Sequence, residues 1–210
     1  MQHFTLEELD KLIENGKHAS AYAQDHFEEL AARKHTYTLY GPKTIWIGAC
    51  VPCKFTPKRE RVLSQKTKRK SYCVYELDEN YTILRNIHIE NGEVDCTFHH
   101  FWLEGIHYAK AFFGNGKRPT GRDVFAVKYA DGKPIYYAHS GNAYVFAKYL
   151  EYQNAEKMLV STYDYSQERQ FTYCGLAVDP QAPFWAPNSI VSGYCEEEDV
   201  VNTDFSQWFK

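Results

Sequence analysis

Short turn motifs between runs of apolar and aromatic residues are the feature that most constrains the fold of this chain. Residues 91–92 are Asn-Gly, residues 131–132 are Asp-Gly, and further turn-forming stretches occupy 40–43 and 78–80. Asn-Gly and Asp-Gly favour two-residue hairpins, because both central residues of a type I′ turn need a positive φ. Consecutive hairpins of this kind predict an antiparallel meander.

The residues between these turns suit the strands of such a sheet. The chain holds 17 Tyr, 13 Phe and 4 Trp, and aromatic side chains fit the half-buried faces of pleated sheets. The predicted strands cover residues 36–40, 44–50, 72–77, 81–89, 93–97, 124–130, 134–140, 143–150, 158–165 and 169–178.

Two helices are predicted before the first strand. Thr5 followed by Glu8 forms a capping box, which predicts a helix over residues 6–14 that ends at the Asn-Gly pair 15–16. Residues 17–34 place apolar side chains on one stripe at helical spacing, which predicts a second amphipathic helix. The two should form a helical hairpin.

A third helix is predicted near residues 98–113, where aromatic and apolar residues recur at helical spacing before glycines 114 and 116. We therefore expect one α+β domain, with both helical regions packed on a large twisted antiparallel sheet of about eight to ten strands. Its parts are a helical hairpin at 1–34, the sheet with its internal helix at 35–178, and a proline- and aromatic-rich loop with an acidic tail at 179–210, all within a single domain over 1–210.

The six cysteines are expected to be reduced. Residues 1–12 show neither a basic n-region nor an apolar h-region, which predicts a cytoplasmic protein. No run approaches the roughly 18 apolar residues that a membrane span needs, so no membrane partner is expected.

The stretch WIGACVPCKFTP resembles the active-site segment of thioredoxins. That resemblance implies a thiol–disulfide oxidoreductase in which Cys50 is the attacking thiolate and Cys53 the resolving thiol. Two alternatives stay open, namely buried thiols that pack as small apolar groups and half of a metal site.

Two sets of side chains are candidate metal ligands. Cys50, Cys53, Cys96 and His99 combine a CxxC and a CxxH spacing, which is typical of structural zinc sites. If residues 98–113 are helical, a second set shares one helix face, where solvated polar residues are the alternative explanation. This second set is His100, Glu104 and His107.

The segment 54–70 contains eight basic residues and one acidic residue, whereas the whole chain has a net charge of −3. Such a segment predicts either a solvated loop or a binding surface for an acidic protein partner. Nucleic acid is a less favoured partner, because no RNA-binding motif surrounds the segment. The candidate partner-binding residues are Lys58, Arg59, Arg61, Lys66, Lys68, Arg69 and Lys70.

The stretches YELDENYTIL, YADGKPIYY and YDYSQERQFTY each contain a tyrosine-led strand, a polar turn and a second strand. Over residues 72–174 this pattern resembles the tyrosine and aspartate hairpin repeats of bacterial polymorphic toxins and their associated immunity-type proteins. The resemblance implies a non-enzymatic intracellular binding protein that neutralises a toxin and needs no cofactor. A thiol–disulfide oxidoreductase and a metal-binding protein are the alternative functions.

Overall fold

The computed structural model describes residues 4–41, 68–80, 82–113, 118–153, 158–167, 171–178 and 187–194. Its helices are α1 (Leu6–Asp25) and α2 (Phe27–Ala32). Its strands are β1 (Tyr37–Gly41), β2 (Tyr72–Leu77), β3 (Ile83–Glu90), β4 (Glu93–Leu103), β5 (Ile106–Phe113), β6 (Arg118–Ala130), β7 (Lys133–Ser140), β8 (Tyr144–Tyr152), β9 (Met158–Ser166), β10 (Phe171–Val178) and β11 (Pro187–Tyr194).

The eleven strands form one sheet in which each strand pairs with the next along the chain. Neighbouring strands run antiparallel from β1 to β11. The predicted α+β class is therefore confirmed, with one strand more than the expected eight to ten. In the part of the chain that the structure describes, no helix is both long and apolar enough to cross a membrane.

The turns at 91–92 and 131–132 are hairpin turns, as predicted. Both residues of each pair have a positive φ, with 53° and 87° in the first pair and 49° and 74° in the second. A third turn of the same kind, which was not predicted from the sequence, is formed by Glu104 and Gly105 with φ of 51° and 75°. A positive φ at both central residues matches the twist of the flanking strands.

The helix expected near 98–113 is wrong, because this segment forms most of the β4–β5 hairpin. Its residues are buried without a break over 96–101 and again over 106–112. A strand buried on both faces loses the alternation of apolar and polar residues, so its continuous apolar run also fits a helical pattern.

The helical hairpin expected at 1–34 is also wrong, because α1 continues through the Asn-Gly pair 15–16. The capping box is confirmed: Thr5 N–H donates to Glu8 Oε2 at 2.8 Å, and Glu8 N–H donates to Thr5 Oγ1 at 3.2 Å. Gly16 does not end the helix. Its missing side chain lets α1 approach Ser140 of β7 closely. A Cβ at this position would lie 2.4 Å from the Cβ of Ser140.

The loop expected at 179–210 is wrong over residues 187–194, which form the edge strand β11 beside β10. Proline is tolerated at the start of a strand and on an edge, where its missing N–H interrupts no ladder. Pro187 occupies such a position, next to a register irregularity at Ala177 and Val178. The strand expected at 44–50 lies outside the described residues.

We call the sheet face that α1 covers the helix face. Helix α1 contacts β5, β6, β7 and β8, and its buried stripe includes Leu9, Ile13 and Ala19. Small and branched side chains line the sheet beneath it, which lets helix and sheet approach closely. The residues that define the helix face are Val124, Ala126, Ala138, Val145 and Ala147.

Phe4, which precedes the N-cap residue of α1, is anchored on the same face. The ring of Phe4 packs edge-on against Tyr136, Tyr149 and Tyr163, with centroids 5.6, 5.4 and 5.3 Å away. The Phe4 N–H also donates to the Tyr163 hydroxyl at 3.3 Å. The start of α1 is therefore attached to β7, β8 and β9.

Two arginines attach the end of α2 to the sheet. The Arg85 guanidinium of β3 donates to the carbonyl oxygens of Ala31 and Arg33. Arg33 in turn donates to the carbonyl oxygens of Leu84 and His100. The last carbonyls of a helix have no partner within the helix, so these cationic donors stabilise its end.

Replacing Gly16 by alanine should lower the free energy of unfolding by about 1–2 kcal/mol. The added methyl group would collide with Ser140, and overpacking of this kind outweighs the gain of about 1 kcal/mol in helix propensity. Urea denaturation of Gly16→Ala and of the exposed neighbour variant Asn15→Ala would measure this. We expect Asn15→Ala to keep or raise stability, and equal stability of Gly16→Ala and wild type would contradict the close contact.

Candidate functional site

Most of the sequence-predicted site residues before β2 lie outside the described residues. These are Cys50, Cys53, Lys58, Arg59, Arg61 and Lys66. The last three basic residues of the segment, Lys68, Arg69 and Lys70, are exposed. The Lys70 carbonyl accepts from the Gly92 N–H at 2.9 Å, so this end of the segment lies beside the β3–β4 turn.

Cys96 and His99 do not come together. Both are buried in β4, where Cys96 lies opposite His88 and His99 lies opposite Arg85. Residues three apart on a strand point to opposite faces of the sheet. His99 lies on the helix face, where its ring packs edge-on against Phe27. Burial, with a smaller contribution from the nearby arginines, lowers its pKa to about 4.

His100 and His107 do come together, although the helix that was expected to place them side by side is absent. The β4–β5 turn carries the exposed Glu104, and the two histidines lie diagonally across the hairpin. His100 Nδ1 is 3.1 Å from His107 Nε2, and the two rings stack with centroids 5.1 Å apart. We call the sheet face that carries them the far face, because it is opposite the helix face.

These two histidines belong to a longer row of buried polar side chains on the far face. His100 Nε2 is 2.6 Å from Asn86 Oδ1, and Asn86 Nδ2 is 3.2 Å from His88 Nε2. Each of the four residues is at most 2 % exposed. We call His88, Asn86, His100 and His107 the histidine row; it crosses β3, β4 and β5.

The acceptor at Asn86 fixes the direction of the hydrogen bonds in the row. Asn86 Oδ1 only accepts, so His100 must carry its proton on Nε2. A neutral His100 then accepts at Nδ1 from His107 Nε2–H, while the Asn86 amide donates to His88. Every hydrogen bond in the row therefore points from the His107 end towards the His88 end.

Burial keeps the histidines of the hairpin neutral. It lowers the pKa of His107 to about 3, with a smaller contribution from Arg33. It also lowers the pKa of His100 well below the usual value, and the neighbouring His107 adds to that shift. Among the described residues His107 Nδ1 has no hydrogen-bond partner, so a proton there would be buried without compensation.

A β-bulge brings three potential metal ligands together at the β3 end of the row. Ile89 pairs with Val94 and His88 pairs with Cys96, so Asp95 is an extra residue in β4. A bulge redirects side chains near the inserted residue. One ligand atom each from His88, Asp95 and Cys96 lies within 4.8 Å of the other two.

The sequence pattern predicted Cys96, His100 and His107 as candidate ligands but did not predict Asn86, His88 or Asp95. A signal for Asn86 was present, because Asn86 and His88 are polar residues two apart in the apolar run ILRNIHIE. That spacing puts both side chains on one face of a strand. The bulge that redirects Asp95 depends on strand register, which no local pattern displays.

Exposed and half-buried aromatic residues lie on other parts of the far face, next to a buried apolar cluster of Cys96, Phe98, Ala109 and Ala111. Trp102 is 49 % exposed and Phe113 is 53 % exposed. Phe125 and His139, both half-buried, stack with centroids 4.4 Å apart and planes 9° from parallel. Tyr144, which is 36 % exposed, packs edge-on against His139. We call these five residues the aromatic surface.

No family model matches the chain, and neither a curated protein nor a solved structure was found to match it.

Lowering the pH from 7 to 5 should destabilise the protein through the histidine row. The folded state holds His107 neutral with a pKa of about 3, whereas the unfolded chain takes up a proton near pH 6.5. Stability is therefore complete above pH 6.5 and is lost as the pH falls towards 3. At pH 5 the loss from His107 alone is about 2 kcal/mol.

Urea denaturation of wild type and His107→Gln between pH 7 and 5 would measure this loss. Glutamine keeps an N–H donor for His100 but does not titrate, so the variant should lose about 2 kcal/mol less than wild type over this range. The exposed His18→Gln serves as control and should behave as wild type. Equal pH dependence in wild type and His107→Gln would refute the assignment.

Proposed function

We propose that the protein is a non-enzymatic binding protein of the bacterial cytoplasm that holds a protein partner on the aromatic surface. Its class would be that of immunity-type proteins, which neutralise a toxin by covering it. The observation that carries the proposal is the exposure of Trp102 and Phe113 on the far face. α1 covers the helix face instead.

The composition of the aromatic surface supports a protein partner. Tryptophan, tyrosine and phenylalanine are enriched in protein interfaces and supply much of their binding energy. Trp102 is held by neighbouring rings, with its centroid 5.3 Å from His107 and 6.0 Å from Tyr129. A side chain already fixed in place loses little conformational entropy on binding.

The exposed residues Lys68, Arg69 and Lys70 support a partner with an acidic region. They lie beside the β3–β4 turn, through the Gly92–Lys70 backbone hydrogen bond. Complementary charge of this kind raises the association rate and helps select the partner. The thioredoxin-like role of Cys50 and Cys53 stays a prediction, because both residues lie outside the described part of the chain.

A photo-crosslinking amino acid placed at position 113 or 102 should capture one protein partner in cells. The same amino acid at Glu28, which is exposed on α2, should not capture that partner. Equal capture from both surfaces would contradict the proposal. A crosslink between two copies of this chain would show self-association instead.

Binding of the captured partner should then depend on the exposed rings. Trp102→Ala should weaken the affinity by about 30-fold, as expected for a hot-spot residue worth about 2 kcal/mol. Val94→Ala is the matched control, since Val94 is an exposed apolar residue outside the aromatic surface. Calorimetric titration would measure both, and equal affinity of Trp102→Ala and wild type would rule out this surface.

A further inference from the structure

We propose that His88, Asp95 and Cys96 form a binding site for a divalent transition metal of the zinc type. The site lies on the far face at the β3–β4 bulge, and it does not depend on the proposed binding function. It differs from both ligand sets expected from the sequence, with which it shares only Cys96.

The chemistry of the three side chains selects the class of metal. Zinc is bound by thiolate, imidazole and carboxylate groups, whereas calcium and magnesium take oxygen ligands. A tetrahedral zinc ion holds its ligand atoms roughly 3.3–3.8 Å apart, given bonds of about 2.0–2.3 Å. The three ligand atoms lie within 4.8 Å of one another, so a contraction of about an ångström would complete the site.

Two of the three ligands are fixed by burial, and the third is accessible from solvent. His88 is 0 % exposed and Cys96 is 6 % exposed, so packing fixes two of the ligands. Asp95 is exposed at the bulge and can move towards an ion from the solvent side. Three protein ligands leave the fourth position of a tetrahedral ion for water or another group.

The histidine row supplies the support that a metal-binding histidine needs. His88 Nε2 contacts Asn86, and Asn86 in turn contacts His100. A group that forms a hydrogen bond with the other ring nitrogen of a metal-binding histidine fixes the orientation of the ring and tunes the metal affinity. The nitrogen that binds the ion is therefore Nδ1.

Binding through Nδ1 changes the hydrogen bonds of the whole row. A neutral His88 that ligates through Nδ1 carries its proton on Nε2 and needs an acceptor there. Asn86 meets this need when its amide turns over, which points its NH₂ group at His100 Nε2. His100 then donates from Nδ1 to His107 Nε2, so each ring keeps one proton and every bond in the row reverses. The His107 proton moves to Nδ1, which has no partner among the described residues, so part of the metal-binding free energy offsets the cost of that buried N–H.

The proton balance of binding is simple. The Cys96 thiol loses its proton to solvent as the sulfur–metal bond forms, while His88 binds as a neutral imidazole and Asp95 binds as a carboxylate. One proton is released for each ion bound, and no electrons are transferred.

Cobalt(II) is the probe for this site, because a thiolate bound to cobalt gives a charge-transfer absorption band. Protein stripped with a chelator and kept reduced should bind one equivalent of cobalt at the site with such a band. Cys96→Ser should remove the band, and Asp95→Asn should weaken binding by about 10- to 100-fold or more. Because Asp95 is exposed, its variant is expected to fold normally, which urea denaturation would verify.

Matched variants separate this site from other ligands in the chain. Glu93→Gln removes an exposed carboxylate two residues from Asp95 and should not change cobalt binding. Loss of the band in Cys53→Ser with retention in Cys96→Ser would overturn the proposal. Absence of cobalt binding to wild type, or equal affinity of Asp95→Asn and wild type, would do the same.

Nitrogen-15 NMR of the imidazole rings gives a second readout that a purely structural role would not move. On addition of zinc, the protonated nitrogen of His107 should change from Nε2 to Nδ1. The exposed His18 should show no such change. An unchanged His107 in the zinc-loaded protein would refute the coupling between the metal site and the row.

Discussion

The contact between α1 and the centre of the sheet is the interaction on which the other features depend. An eleven-stranded meander has two broad faces, and α1 covers one of them over β5, β6, β7 and β8. Gly16 lets the helix approach Ser140 closely, and the Ser140 hydroxyl donates to the Leu12 carbonyl at 3.0 Å. Apolar burial on the helix face stabilises the sheet. The far face has a smaller buried apolar cluster, and beside it lie buried polar residues and exposed aromatic residues.

Those far-face residues fall into two neighbouring regions with different physical character. On β3 to β5 the histidine row is buried, so each polar atom depends on the next for its hydrogen bond. The aromatic surface is instead exposed or half-buried. Its rings leave apolar area in contact with water, which is energetically unfavourable. Trp102 adjoins both regions through its contact with His107.

Local sequence signals predicted the features that depend on neighbouring residues. The capping box and the hairpin turns at 91–92 and 131–132 were of this kind. The β4–β5 hairpin was mistaken for a helix because burial on both faces removes the alternation that marks a strand. Asn86, His88 and Asp95 form a cluster with Cys96 only through the register of β3 on β4 and its bulge, which depend on pairing between strands.

The attachment of Phe4 to Tyr163 has a consequence for the order of events during synthesis. The two residues are 159 positions apart, and ribosomes add about 5–20 residues per second. Helix α1 is therefore made roughly 8–30 seconds before the last tyrosine that anchors its start. Each strand, by contrast, can pair with its predecessor as soon as it emerges. During this interval the apolar stripe of α1 has no complete sheet to pack against and stays accessible to other proteins.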